Sequence, residues 1–374
     1  MTTSLRWPLV VLTCALAISL TAPALADAGT DAGGATSAQA RAVVSILPVP
    51  APGCWYHGVY PGGVTGEEDD ITPADVTSYE TAAGYQVAWV FFSNNWYRSR
   101  NFPIRKATWI RDRGSMPYIR LMLRANSNER QRNDTSADRV FSLRRIIEGD
   151  FDADLRRWAD DAAAFGTPVL AEYGTEMNGF WFSWNATHNG ASSGARKFRL
   201  AYRHIIDIVR TRGARNVSWV FHVNNDDQPA KPWNRLERYY PGDRYIDWLA
   251  TSVYGALTPQ DNWNEPFARG MDRVYPRLRR LADKPILVSE FGVTKDNPRV
   301  DPVRWASQAF EQLLSNRWPR VRGFSWWNET WQNDDVAAHD SNLRIQDIPG
   351  LPAVFDAALS SPTVLTRPSL TPTC

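Results

Sequence analysis

Residues 167–185 read TPVLAEYGTEMNGFWFSWN, and the first half of this stretch decides the fold. A short apolar run stops at a carboxylate, Glu176, and ring residues follow at once: Phe180, Trp181, Phe182 and Trp184. The run reads as a strand buried on both faces. Seven more of the same kind occur: WYHGVY (55–60), YQVAWVFF (85–92), MPYIRLML (116–123), VSWVFHVN (217–224), IDWLATSVYG (246–255), PILVSEFG (285–292) and GFSWWNE (323–329). Their apolar residues run together instead of alternating, which is the pattern of a parallel sheet covered on both sides. Between them the apolar spacing becomes helical. Phe151, Leu155, Trp158 and Ala162 share one face, as do Phe198, Ala201, Ile205 and Val209, and so do Val303, Ala306, Phe310 and Leu313; such stripes face a core. Eight strands alternating with helices over roughly 300 residues predict an α/β protein with a single (β/α)8 TIM barrel. An open doubly wound sheet is the other arrangement compatible with the alternation, but no GxGxxG or Walker loop follows a strand.

The organisation around the barrel follows from composition. Residues 1–26 have a basic start at Arg6, an apolar core from Pro8 to Leu20 and small residues at Ala24-Leu25-Ala26. That is the pattern of a secretory signal peptide cleaved after Ala26, and the apolar run is too short to anchor the chain in a membrane. Residues 27–50 are rich in Ala, Gly, Ser and Thr and predict a flexible lead-in. The barrel is expected over 51–360, with an extended tail over 361–374. Removal of the leader takes Cys14 with it and leaves Cys54 and Cys374, which in an oxidising compartment pair most simply as one disulfide; two unrelated thiols are the alternative. The 374-residue chain balances 42 Lys+Arg against 40 Asp+Glu, so no field draws it to nucleic acid or to an anionic membrane. The expected partner is a neutral one, met by a secreted monomer.

In such a barrel reactive groups sit where strands end. Glu176 stands at the end of the fourth run and Glu290 at the end of the seventh, and each is followed within three residues by a glycine, Gly179 and Gly292. Two acids facing each other across a barrel mouth suit glycoside hydrolysis. One protonates the leaving oxygen and the other attacks or activates water. The 17 tryptophans fit the same partner, because a sugar ring presents apolar CH faces to an indole. The five histidines show no HExxH or paired spacing, so neither a metal nor another cofactor is expected. Arg120 near the end of the third run is read either as a ligand clamp or as an ion pair inside the barrel. Residues 224–227, NNDD, are read as a solvated loop more than as a sugar or calcium site. Sequons occur at Asn133, Asn185, Asn216 and Asn328.

The stretches GTEMNGFWFSW (174–184), YYPGDRYIDWLATSVYG (239–255), KPILVSEFG (284–292) and GFSWWNE (323–329) resemble glycoside hydrolase family 26, a family of retaining (β/α)8 glycosidases that includes β-mannanases. The resemblance implies that Glu176 is the proton donor and acid/base and Glu290 the nucleophile. It also implies that Tyr254 hydrogen-bonds the nucleophile and that Trp181 stacks at the cleavage point. Thr175, Asn178, Trp184, His222, Trp326 and Trp327 are the further candidates for contact with sugar. One position departs from the family. Mannanases commonly have His directly before the acid/base, where Thr175 stands here; a hydroxyl offers neither imidazole nor amide. The resemblance as a whole implies an endo-acting retaining β-glycanase on β-1,4-mannan. Mixed-linkage β-1,3-1,4-glucan and xylan are alternatives within the family, and a non-catalytic polysaccharide-binding barrel is an alternative outside enzymology.

Overall fold

The computed structural model describes residues 46–63, 67–126, 136–369 and 374. The expected signal peptide, most of the lead-in and the sequon at Asn133 lie outside the described residues. Strands β1 (Trp55–Tyr60), β2 (Trp89–Asn95), β3 (Met116–Met122) and β4 (Val169–Tyr173) form the first half of the sheet. Helices α1 (Pro73–Ala83), α2 (Ile104–Asp112), α3 (Leu143–Ile147) and α4 (Asp152–Phe165) separate them. The second half continues with α5 (Ser192–Thr211), β5 (Val217–Asn224), β6 (Trp248–Tyr254), α6 (Phe267–Leu281), β7 (Ile286–Gly292), α7 (Pro302–Leu314) and β8 (Val321–Trp327). These eight strands are parallel neighbours in sequence order, and β8 pairs back onto β1 from Tyr56↔Gly323 to Tyr60↔Trp327. The sheet is therefore closed, and the fold is a (β/α)8 barrel.

Local signals explain where the helices begin and end. Thr72 caps α1 by accepting from the Asp75 backbone N–H while Asp75 accepts from that of Thr72; Pro73 follows, and Gly84 ends the helix with φ of 78°. The left-handed turn at Gly84 delays β2 to Trp89, later than the apolar run suggested. Asp301 caps α7 by accepting from the backbone of Val303 and Arg304. The α4 and α5 stripes are buried as expected, and only Val303 of the α7 stripe is half-exposed. Trp158 of α4 shows how tightly a helix is seated: it is fully buried and its Nε1 donates to Asn94 Oδ1 of β2 at 3.1 Å. Truncating it to Ala would cost roughly 3–5 kcal/mol.

After β8 a short hairpin, β9 (Thr330–Trp331) and β10 (Ser341–Asn342), leads to α8 (Leu351–Leu359) and to β11 (Val364–Leu365). β11 pairs in parallel with the start of β1, Trp55↔Val364 and Tyr56↔Leu365. The tail is thereby brought beside Cys54, and Cys54 and Cys374 form a disulfide across 320 residues of chain.

Candidate active site

The two acids reach the barrel mouth by different routes. β4 stops at Tyr173, Gly174 turns the chain with φ of 65°, and Glu176 stands three residues beyond the strand with φ of 48°. A non-glycine residue in the left-handed region costs of order 1–3 kcal/mol, a strain that clusters at functional sites. Hydrogen bonds hold it: the Glu176 N–H donates to His222 O at 3.0 Å, and Gly179 N and Asn185 Nδ2 donate to the Glu176 carbonyl at 2.9 and 3.0 Å. The chain then folds back so that Trp181 Nε1 donates to Glu176 Oε2 at 2.8 Å. A Cβ on Gly179 would lie 2.6 Å from the Trp181 ring, so this return needs glycine. Burial, and then the charge of Glu290, push the Glu176 carboxyl up to about 7, against the opposing pull of His222, Ser252 and Arg120. An acid held there keeps its proton near neutral pH and can give it away.

Glu290 lies inside β7, at the point where the pairing with β6 and β8 slips register. Such irregularities re-aim a side chain. Its Oε1 accepts from Arg120 Nη2 and its Oε2 from Tyr254 Oη at 2.7 Å. Arg120 resolves the choice posed by the sequence in favour of an ion pair within the barrel. Its guanidinium also donates to Glu172 Oε1 and to Glu68 Oε2, both at 2.9 Å, and lies over the rings of Phe91 and Trp327. Below it, Glu172 accepts from Tyr118 Oη at 2.7 Å and meets His222 Nδ1 at 3.0 Å. Burial alone would raise the Glu172 carboxyl, but His222, Arg120 and Tyr118 hold it down at about 2. For His222, burial opposes protonation and Glu172 outweighs it, so the imidazole is raised. Fully desolvated charges persist only when paired in this way.

Trp181 and Tyr254 line, together with Glu176, a cavity of about 740 Å³. Trp327 is nearly buried at the end of β8, stacked on Tyr60 with centroids 4.0 Å apart and donating from Nε1 to Glu329 Oε2 at 2.8 Å. Thr175, Asn178 and His222 stand beside the acids but face inward. Thr175 Oγ1 meets His222 Nδ1 at 3.1 Å, and His222 Nε2 meets Ser252 Oγ at 2.9 Å. Asn178 Nδ2 is spent on Asn224 O, Asp226 O and Asp227 Oδ1, and its Oδ1 accepts from Asn224 N. The expectation of sugar contact is corrected for these three, which brace the loops instead. It is corrected also for Trp184, buried on Phe182 and donating to Thr175 O at 2.9 Å. Trp326 is 0% exposed, packed on Phe291 and Phe355, and donates to Leu343 O. Successive strand residues point to opposite faces, so Trp326 and Trp327 could not both face the mouth.

His57 is also core, bonded to Tyr79 Oη at 2.8 Å. Asn224, Asn225 and Asp226 line the cavity, whereas Asp227 pairs with Arg277 at 2.8 Å. Asn185, Asn216 and Asn328 are buried, which keeps glycan attachment away from the folded chain.

Three carboxylates escaped the sequence reading. Glu172 sits in the middle of an apolar strand, a charge that demands a buried partner, and Arg120 in the equally apolar third run is that partner. Glu68 comes from a loop with φ of 60° at that residue. Glu329, just past β8, is pushed up to about 8, first by burial and then by Glu68 and Asp70, against hydrogen bonds from Trp327 and Tyr60. Among the described residues, no group of three or more His, Cys, Asp or Glu is arranged to hold a metal ion, and no helix is long and apolar enough to cross a membrane.

The model of glycosyl hydrolase family 26 matches residues 142–271. The chain is similar to Endoglucanase H of Acetivibrio thermocellus, 30% identical over 192 residues, which are 50% of this chain and 21% of that protein. It is also similar to a mannan endo-1,4-beta-mannosidase of Bifidobacterium adolescentis, 25% identical over 190 residues, 46% of this chain and 18% of that one. The match thus spans about a fifth of the length of these relatives. Among solved structures, the Bacillus subtilis mannanase man26 shares the fold with a TM-score of 0.56 at 18% identity, covering 86% of this chain and 91% of that one.

Proposed function

We propose that this chain, a β-mannanase-like protein of glycosyl hydrolase family 26, is a secreted endo-acting β-glycanase that retains configuration, with β-1,4-mannan as its substrate. One observation supports this above the rest: two carboxyl groups at one barrel mouth have opposite surroundings. Glu176 is half-buried at the cavity wall, accepts from the Trp181 indole N–H and has its proton held to about 7, while Glu290 is clamped by Arg120 and Tyr254. In the first step Glu290 attacks the anomeric carbon, and Glu176 gives its proton to the glycosidic oxygen as that bond breaks. In the second, Glu176 takes a proton from water, which displaces Glu290 from the sugar. Tyr254 and Arg120 fix the attacking carboxylate in one orientation, and Trp181 offers a ring face beside the scissile bond. A protein that only bound polysaccharide would have no use for the contrast between the two acids.

A second substrate reading has its own support. Thr175 turns its hydroxyl to His222 and not to the cleft, so the position that carries His in mannanases does not read the sugar here. One relative is named an endoglucanase. Mixed-linkage β-glucan is the alternative this favours. Secretion is supported by the leader-like N-terminal pattern and by the Cys54–Cys374 disulfide. The test is a panel of β-mannan, mixed-linkage β-glucan and xylan with product sizing, run on the wild type and on Glu290→Ala. Short oligosaccharides from β-mannan with the wild type alone are expected. No product from any of the three would overturn the hydrolase reading.

A further inference from the structure

Behind the two acids lies a chain of buried polar groups that the double displacement leaves without a role. Strand β6 supplies one hydroxyl to each acid. Ser252 and Tyr254, two residues apart, point to the same side of the strand. Tyr254 Oη donates to Glu290, and the Ser252 hydroxyl is hydrogen-bonded to the Glu176 carboxyl. The register slip against β7 falls between Thr251 and Ser252 and sets Ser252 opposite Glu290. Next to Ser252 stands His222 of β5, whose Nε2 meets Ser252 Oγ at 2.9 Å. Its Nδ1 meets Glu172 Oε2 of β4 at 3.0 Å and Thr175 Oγ1 at 3.1 Å. The backbone ties the same groups together, since the Glu176 N–H donates to His222 O at 3.0 Å. Ser252 and His222 are each 1% exposed and Glu172 0%, so bulk water does not compete for these bonds.

A hydroxyl has one hydrogen to give, and its direction depends on what stands behind it. A neutral His222, with its hydrogen on Nδ1 toward Glu172, would take the Ser252 hydrogen on Nε2 and leave only lone pairs for Glu176. An imidazolium carries N–H on both nitrogens, so Nε2 donates to Ser252 and the hydroxyl hydrogen is left for Glu176. The surroundings favour the imidazolium. Burial and Arg120 of β3 oppose a charge on His222, but the carboxylates of Glu172 and Glu290 outweigh them and raise its hold on the proton. We infer that Ser252 is a positioning residue of the acid/base: it donates to the Glu176 carboxylate in a direction fixed by the Glu172–His222 pair, and so readies Glu176 as the base of the second step. The inference rests on the proposed hydrolase activity. In that step Glu176 takes a proton from water and must stand ionised, the form that a donated hydrogen bond favours. Glu290 of β7, Arg120, Tyr254 and Trp181 also face Glu176, and a substitution at Ser252 leaves all four in place.

The test titrates the Glu176 δ-carboxyl by carbon NMR in the wild type, Ser252→Ala and Ser252→Thr. Loss of the donor should raise the midpoint by about one pH unit in Ser252→Ala, the direction opposite to that produced by removing the Glu290 charge. Ser252→Thr keeps a hydroxyl and should stay within about 0.3 unit of wild type. Nitrogen NMR of the wild type, which needs no variant, should show hydrogen on both ring nitrogens of His222 at about pH 6. Kinetics read the same group at work. On a dinitrophenyl β-disaccharide of the sugar cleaved in the panel, the phenol leaves without a proton and the second step limits kcat. The acidic limb of kcat should move up by about one pH unit in Ser252→Ala, while kcat/KM stays within about threefold of wild type. An unchanged midpoint in Ser252→Ala, an equal rise in both variants, or a neutral His222 at that pH would overturn the inference. A wild type that cleaves no substrate would overturn the hydrolase reading and the role in the second step with it, while a raised midpoint would still establish the hydrogen bond, because the titration needs no turnover.

Discussion

Replacing Glu290 by glutamine should lower the titration of Glu176 without returning it to an ordinary carboxylate. The Glu176 carboxyl stands at about 7 against a reference of 4.5. At about 1.4 kcal/mol per pH unit, this difference is about 3 kcal/mol. Burial is the larger cause and the Glu290 charge the second. The amide of Glu290→Gln keeps the shape and the Tyr254 contact but removes the charge, so less than half of the ~3 kcal/mol should be lost, a fall of about one pH unit. The assay is a carbon NMR titration of the Glu176 δ-carboxyl in both proteins, with Glu176→Gln to assign the signal. The same titration in Trp181→Ala, where water reaches the carboxyl, should fall as well. An unchanged midpoint in Glu290→Gln would show that the two acids do not face each other across one cleft. A fall all the way to 4.5 would show that burial contributes nothing.

Glu176→Ala should slow polysaccharide hydrolysis by about 10²–10⁴-fold and should spare glycosides with good leaving groups much more. On a dinitrophenyl glycoside it should show a burst of phenol before slow turnover, and equal losses on both substrates would remove Glu176 as acid/base. Glu329→Gln should change stability in a pH-dependent way. The wild-type carboxyl sits at about 8 in the fold against 4.5 unfolded, so the folded state holds the extra proton and stability is lost as pH rises through that window. The variant should therefore gain on the wild type between about pH 5 and pH 8.5 by on the order of a few kcal/mol in urea unfolding; a constant difference would contradict the buried, protonated acid. Cys54→Ser should cost about 2–5 kcal/mol, since the disulfide closes a loop of 320 residues. Equal stability under oxidising conditions would show that the bridge does not constrain the chain.

The barrel was legible because its strands are buried on both faces and its helices carry clean stripes, so the alternation survives in the one-dimensional pattern. The two acids were legible for a related reason: each interrupts an apolar run just before a glycine. Side-chain direction was less accessible. Trp326 and Trp327 looked equivalent in GFSWWNE, yet only the pleat decides that one faces the core and the other the mouth. Trp184 and Asn178 lie close to Glu176 in sequence, but the turn begun at Gly174 points them into the scaffold. Arg120, Glu172 and Glu68 come from three distant segments and meet only through barrel closure. The need of Arg120 and Glu172 for partners could be read from their apolar strands, but not which partners, and Glu68 lies in a loop without such a signal. The cavity beside Glu176 is lined largely from loops with no periodic signal, so its walls could not be read from the chain.

The measurement that bears most directly on the proposed chemistry is to trap the intermediate. Incubation with a 2-deoxy-2-fluoro glycoside bearing an activated leaving group should slow the second step more than the first, so the sugar accumulates on the nucleophile. Mass spectrometry of the digested protein is expected to show one fluorosugar on the peptide containing Glu290, absent after Glu290→Ala. A label on any other residue, or full activity on natural substrate with no label at all, would contradict the double displacement through Glu290.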